Sequence, residues 1–503
     1  MNQDFTHMTK DGYLLGFDVG SSSVKASILD IETGSAIESA HSPAVEMRII
    51  SKNRNWAEQD PETWWKNLCL ASKAVLRKSG VNLNFIKAIG ISYQMHGLVI
   101  VDEYQKVLRP SIIWCDSRAS EIGQKAFSEI GQQKSLENYL NSPGNFTASK
   151  LKWVKENETE LYKKIHKMML PGDFIAMKMT GEISTTFTGL SEGILWDYKE
   201  NGLANSLLNH FEISDTLIPD SKESFADHGK LTASGADELG LPKGIPITYK
   251  AGDQPNNAFS LNVLHPGEAA TTAGTSGVIY GVSDKPVYDK KSRVNTFVHV
   301  NHENDNPSYG VLICINGTGI LYRWIKQNLI RDETFGYDQM NNLALQTPIG
   351  ADGLRIMPFG NGAERILENR NPGAKIVDLH FNRHDTGHLL RAALEGIVFS
   401  MNYGFSIMKE MNMDPGTIRA GRANLFLSPL FREAFANSTE TVLELYNTDG
   451  SEGAARGAGL GAGIFSGEQE TFSGLQKIET IEPDPEKAKI YRETYENWLE
   501  LLL

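Results

Sequence analysis

The strongest constraint on this chain's fold is a hairpin that is written twice. Residues 13–18 read YLLGFD, an apolar run that predicts a strand. Gly20-Ser21-Ser22-Ser23 follows as a turn, and VKASILD at 24–30 predicts a second strand. Small residues let the backbone reverse tightly, and apolar, β-branched flanks suit a pleated sheet. The plan returns at 267–283, GEAATTAGTSGVIYGVS, around the turn Gly274-Thr275-Ser276-Gly277. One hairpin opening each half predicts two related domains. The length agrees, because 503 residues exceed what one hydrophobic core organises. The boundary is expected near 240–260, where LGLPKGIPITYKAGDQPNN is rich in Gly and Pro, giving domains at 1–255 and 256–503.

Between the hairpins, helical periodicity predicts helices over 61–80, 150–165 and 385–411, mixed with short strands, so the class is α/β. The formal net charge of −13 disfavours nucleic acid and anionic membranes as partners. A local cradle of backbone N–H groups can still hold a phosphate against that field. No apolar run approaches the ~18 residues of a membrane span. The polar opening MNQDFTHMTKDG lacks the apolar core of a leader. Cys69, Cys115 and Cys314 are an odd set without a Cys-x-x-Cys pair, which fits a reducing, cytoplasmic compartment.

The candidate chemistry sits at predicted strand ends. No G-x-x-x-x-G-K-[ST] phosphate loop is present. The two hairpin turns are anion-binding candidates, since small residues let several N–H groups converge, although ordinary hairpins share that composition. Asp18 ends an apolar strand just before the first turn; it either caps that turn or meets Mg2+ on bound phosphates. Asp253, in KAGDQPNNAFS, follows an apolar strand in the expected hinge and reads as a helix N-cap or as a general base. Gln94-Met95-His96-Gly97 and Ile113-Trp114-Cys115-Asp116-Ser117-Arg118 each follow an extended run. Amide, imidazole, carboxylate and a flat apolar ring are what a polyhydroxylated ligand needs, though singly each residue is more often structural. Gly457-Ala458-Gly459-Leu460-Gly461 fits a loose dinucleotide pattern, but no βαβ unit follows, so it predicts a small-residue helix face. His380, His384 and His388 have the spacing of a helical metal site, yet Asn382, Asp385 and Gly387 predict a loop there and no metal.

In this order the segments closely resemble the FGGY carbohydrate kinases and, within them, the xylulokinase branch. GFDVGSSSVKASILD resembles the family's first phosphate motif, and SYQMHG with LRPSIIWCDSRA its sugar-binding segment. NFTASKLKWVKEN resembles the first signature, with Asn145 departing at its opening position. AGDQPNNAF resembles the segment of the catalytic aspartate, TTAGTSG the second phosphate motif, RHDTGHLLRAALEGIVF the second signature, and EGAARGAGLGAG a segment near the nucleotide.

The resemblance implies two ribonuclease H-like, actin-type ATPase domains with the active site in the cleft between them. It implies ATP-dependent phosphorylation of a ketopentose, D-xylulose to D-xylulose 5-phosphate. Gluconate, ribulose and glycerol are rival acceptors, and a catalytically silent sugar sensor is the rival of another class. Asp253 would be the general base; Asp18 would assist at the phosphates, holding Mg2+ directly or through water. Gln94, Met95, His96, Trp114 and Asp116 would contact the sugar together with Asp253. Gly20, Ser21, Ser22, Lys25, Gly274, Thr275, Ser276, Gly421, Ala423 and Asn424 would approach ATP. The implied partners are the sugar and ATP, and a homodimer is left open. Three departures stand out. The family's Gly-Gly-Gly-Ala adenosine loop is Gly421-Arg422-Ala423-Asn424 here, its Gly-Glu-Arg-Thr-Pro is Ala363-Glu364-Arg365-Ile366-Leu367, and Asp378 stands where a small Gly is usual.

Overall fold

The computed structural model describes residues 11–303, 305–332 and 334–502. Residues 1–10 of the polar opening, read above as no leader, lie outside the described residues. The chain divides into two compact units. Unit 1 takes the described residues through Asn262 together with Phe297–Tyr309 and Thr448–Leu475; unit 2 takes Val263–Thr296, Gly310–Asn447 and the chain from Gln476 on. Where the sequence suggested a single cut at 255/256, the units therefore exchange segments. Among the described residues, no helix is long and apolar enough to cross a membrane.

Unit 1 is built on a five-stranded sheet in the order Ile247–Gly252, Ile86–Tyr93, Tyr13–Val19, Val24–Asp30, Ala36–Ser42. The first hairpin pairs Asp18 with Lys25 and Val19 with Val24 in antiparallel register. The turn closes where Gly20 N–H donates to Ser23 C=O at 3.0 Å. Ile86–Tyr93 and Ile247–Gly252 add in parallel. Their side chains are buried along nearly their whole length, as expected for parallel strands covered on both faces. The helix Pro61–Ser79, capped by Asp60, which accepts Glu62 N–H, and ended by Gly80 at φ 64°, packs on the hairpin strands and on Ala36–Ser42, and one cover of the parallel strands is the helix Pro171–Thr180. The other is the helix Gly450–Gly461. Glycine explains why so distant a segment belongs to unit 1. A Cβ on Gly16 would come within 2.0 Å of the Ser451 carbonyl oxygen, and one on Gly90 within 1.9 Å of that of Ala454. The small-residue face read from the sequence is thus what lets this helix lie directly on the backbone of two strands.

Unit 2 repeats the plan. Its seven-stranded sheet runs Asn295–Val298, Tyr309–Ile315, Gly277–Ser283, Ala269–Ala273, Thr417–Gly421, Val442–Tyr446, Lys477–Ile481. The second hairpin is antiparallel, and Thr417–Gly421 and Val442–Tyr446 follow it in parallel, as the two added strands do in unit 1. The helix Thr386–Glu410 starts where Asp385 accepts His388 N–H, and it is buried over most of its length. The helix expected over 150–165 is in fact two: Thr147–Asn157 and Thr159–Tyr162. Glu158 leaves helical backbone angles between them and its carboxylate pairs with Arg109 at 3.1 Å.

Candidate active site

Three neighbouring strands of unit 1 end at one sheet edge, since Val19 and Gly252 both stand opposite Tyr93. That edge gathers Asp18, the Gln94–Gly97 segment and Asp253. Asp18 Oδ1 accepts the Ser92 hydroxyl at 2.9 Å. Burial lifts its carboxyl above the ordinary range, the Ser92 bond opposes this, and Asp449 adds to the rise. Asp253 opens the helix Asp253–Ser260, but the N-cap position is Gly252. Asp253 is thus the first helical residue. Burial first, and then the charge of Asp18, push its carboxyl up to about 7, against donors from Gln254.

Gln94 is 2% exposed and neither atom of its amide has a hydrogen-bond partner. Met95 is buried against Gly252, where a Cβ would come within 2.7 Å of Met95 Cγ. His96 has φ 61°, in the left-handed region that residues with a side chain use sparingly. Its Nδ1–H donates to the Glu192 carbonyl at 2.9 Å, and its ring packs on Phe146 at 4.9 Å and on Phe297 at 5.4 Å between centroids. A carbonyl only accepts, so Nδ1 carries hydrogen.

Two residues here escaped the sequence reading. Lys150 is fully buried and donates to the carbonyls of His96 at 2.8 Å and Ile113 at 3.0 Å, tying both predicted sugar segments together. Burial pulls its ammonium down to about 8. Glu192, on the short helix Phe187–Glu192, is carried well above the usual carboxylate range by burial first, with Asp253 and Asp173 adding. The signal that could have found it is a lone acid inside the otherwise uncharged run TTFTGLSEGILW.

Other predicted residues lie nearby in different roles. Asp116 is fully buried; its oxygens accept the Arg118 guanidinium at 2.9 and 2.6 Å and also the Ala57 N–H, so the carboxylate fixes its own loop. Trp114 is 40% exposed and its Nε1–H points at Ser21 Oγ, 3.4 Å away, which places it by the first turn. In that turn Ser21 C=O accepts Gln59 Nε2 at 2.7 Å and Ser22 C=O accepts Met47 N–H at 2.8 Å. Lys25 Nζ pairs with Asp449 at 2.8 Å.

In unit 2 the second turn is held from behind, Gly319 N–H donating to Gly274 C=O at 2.9 Å and Ile320 N–H to Thr275 C=O at 3.2 Å. Gly274, Thr275 and Asn424 line a cavity of about 360 Å³ with Tyr322, Arg323, Tyr337, Asn341 and Ser428. Asn424 itself has φ 55°. Ser276, Gly421 and Ala423 do not line this cavity; Gly421 ends the strand Thr417–Gly421 and Ala423 is extended. Of the three departures, Glu364 is buried and accepts the N–H groups of Asn316 and Gly317, and Asp378 pairs with Arg355. His388 engages Asp385 at 2.7 Å and Asp352 at 3.2 Å through its two ring nitrogens, while His384 Nδ1 accepts His380 N–H at 3.1 Å. These imidazoles thus hold the loop that leads into the long helix.

Known proteins share both the sequence and the fold. Residues 13–260 match the N-terminal domain of the FGGY family of carbohydrate kinases, and residues 269–464 match its C-terminal domain. Xylulose kinase of Escherichia coli is 28% identical over 503 residues, covering 97% of this chain and 99% of that one. Two solved structures from Lactobacillus acidophilus, a ligand-bound xylulose kinase and a gluconate kinase, each superpose with a TM-score of 0.87 at 23% identity, covering 97% of this chain and of their own. Matched by both domains of one family and superposing on its folds from end to end, the chain belongs to the FGGY family of carbohydrate kinases and is a carbohydrate kinase.

Proposed function

We propose that this kinase transfers the γ-phosphoryl group of ATP to the terminal hydroxyl of a ketopentose, D-xylulose before others. One observation carries the reading. Asp253 stands at a strand end beside the Gln94–His96 segment with its carboxyl held near 7, the range in which a general base works best at neutral pH. Asp253 takes the proton of the attacking hydroxyl. Gln94, Met95 and His96 position the sugar, with Lys150 and Glu192 fixing His96. The two glycine- and hydroxyl-rich turns approach the phosphates, and the cavity bordered by Asn424 receives the nucleoside. Mg2+ would be met by the carboxylate of Asp18, a hard oxygen donor, directly or through water, and when bound it would neutralise phosphate charge.

The resemblance to xylulose kinases along the whole chain favours D-xylulose. The fold does not choose, because a gluconate kinase superposes as well as a xylulose kinase. A coupled ADP-release assay over D-xylulose, other pentuloses, gluconate and glycerol tests the proposal. D-Xylulose is expected to give the highest kcat/KM. Turnover of gluconate or glycerol without any ketopentose would reject it.

A further inference from the structure

The sugar end of unit 1 holds an acid whose free oxygen the reaction above leaves without a task. Glu192 is 1% exposed. Its Oε1 accepts His96 N–H at 3.4 Å and its main-chain carbonyl accepts His96 Nδ1–H at 2.9 Å. Fixing His96 needs no more than those two atoms. The second carboxyl oxygen, Oε2, is buried and has no hydrogen-bond partner. A Cβ on Gly252 would come within 2.6 Å of it, so Oε2 lies against the residue that precedes Asp253. Both amide atoms of Gln94, at the end of the neighbouring strand, are also buried and unpartnered. Orphaned buried side-chain atoms are few in folded proteins, and a site built to hydrogen-bond a hydroxyl leaves such atoms when its ligand is absent.

We propose that Glu192 is a sugar-contacting residue: its Oε2, with the Gln94 amide, binds a hydroxyl of the acceptor other than the terminal one taken by Asp253, and so reads sugar configuration. The inference rests on the ketopentose reading. The pair offers an acceptor and a donor at once, which is what one hydroxyl needs. An epimer whose hydroxyl points elsewhere leaves the pair buried and unsatisfied, so the site discriminates between epimers as well as binding.

The test begins with wild-type enzyme, ADP release identifying the preferred acceptor among D-xylulose, D-ribulose, L-ribulose, gluconate and glycerol. Glu192→Gln and Glu192→Asp are then compared on that acceptor and its epimers, with sugar binding also read by calorimetry. Both variants are expected to weaken sugar binding about 10-fold or more and to narrow the epimer ratio, with kcat less affected and the KM for ATP unchanged. Circular dichroism checks that each is folded. Folded Glu192→Gln with wild-type sugar affinity and epimer ratio overturns the inference. So does an equal loss on all acceptors, which is the mark of a purely structural acid, or misfolding of both variants. If wild type prefers gluconate or glycerol, the ketopentose reading has failed, and unchanged affinity of Glu192→Gln for that acceptor would sink the present inference on its own.

Discussion

Replacing Asp253 by Asn should slow the enzyme and stabilise it at the same time. The carboxyl is raised from its ordinary 3.8 to about 7, chiefly by burial. A shift of roughly three units corresponds to about 4 kcal/mol. The direction follows from linkage. Below pH 4 the group is neutral in folded and unfolded chains, and its environment adds no penalty. Between about 4 and 7 the unfolded chain ionises while the folded one holds its proton, so stability falls as pH rises. Above 7 both are ionised and the full penalty remains. Asn removes the ionisation, and the Gln254 bonds are already contained in that shift, so the expected gain at pH 8 is up to about 4 kcal/mol, shrinking towards zero near pH 4.

Activity should move the other way. A general base must be unprotonated to act, so wild-type kcat/KM should rise with pH through about 7 and level off. The Asn variant should lose ~10²- to 10⁴-fold in kcat while keeping its sugar affinity. The measurements are the coupled ADP assay from pH 5.5 to 9 and denaturant unfolding at pH 4, 6 and 8. A capping role predicts neither effect, since Asn caps as well as Asp. A folded Asp253→Asn enzyme with wild-type kcat would falsify the catalytic role. A stability difference that stays constant from pH 4 to 8 would refute the burial argument even if activity fell.

Three further outcomes are expected. His96→Ala should raise the KM for sugar by the ~1–3 kcal/mol of a buried hydrogen-bond partner left unmet, and calorimetry with unchanged sugar affinity would remove His96 from the site. Asn424→Gly keeps the backbone at φ 55° free of strain but deletes the amide that borders the unit 2 cavity; the KM for ATP should rise a few-fold while sugar binding stays put, as a nucleotide titration would read. Gly90→Ala drives a methyl within 1.9 Å of the Ala454 carbonyl oxygen, and forcing that helix off its strand should cost about 1–3 kcal/mol or more, visible in chemical denaturation.

What the sequence made legible was local. The two hairpins are announced by short-range turn chemistry, and the observed registers centre on the turns that were read. The helix at 61–80 carries its own punctuation in Asp60, Pro61 and Gly80. Gly457 and its neighbours announced a tight helix face, yet nothing in that stretch says which sheet it covers. That answer lies in Gly16 and Gly90, hundreds of residues away, and it is why the unit boundary is not one cut.

The partners of buried charge were the least legible part, because they depend on who arrives in space. Asp116 and Arg118 are two residues apart and their pairing was open to a sequence reader, but whether the carboxylate faced its neighbour or a ligand was not. Lys150 lies in the helix expected over 150–165 with nothing in its sequence to single it out; its role follows from two carbonyls at residues 96 and 113 that converge on its amine. Glu192 and Asp253 illustrate the same point in opposite directions. Asp253 was found because strand-end position and family motif agree, whereas Glu192 has neither motif nor periodicity. Only the fold shows that Glu192 meets His96 and that the charge of Asp253 adds to the cost of ionising it. A sequence written to place two carboxyls together must hold one of them near neutrality, since like charges in a dry site cannot both ionise freely. Asp253, held near 7, is the acid we propose as base, and Glu192, raised well above the usual carboxylate range by burial, is the one we propose as sugar contact.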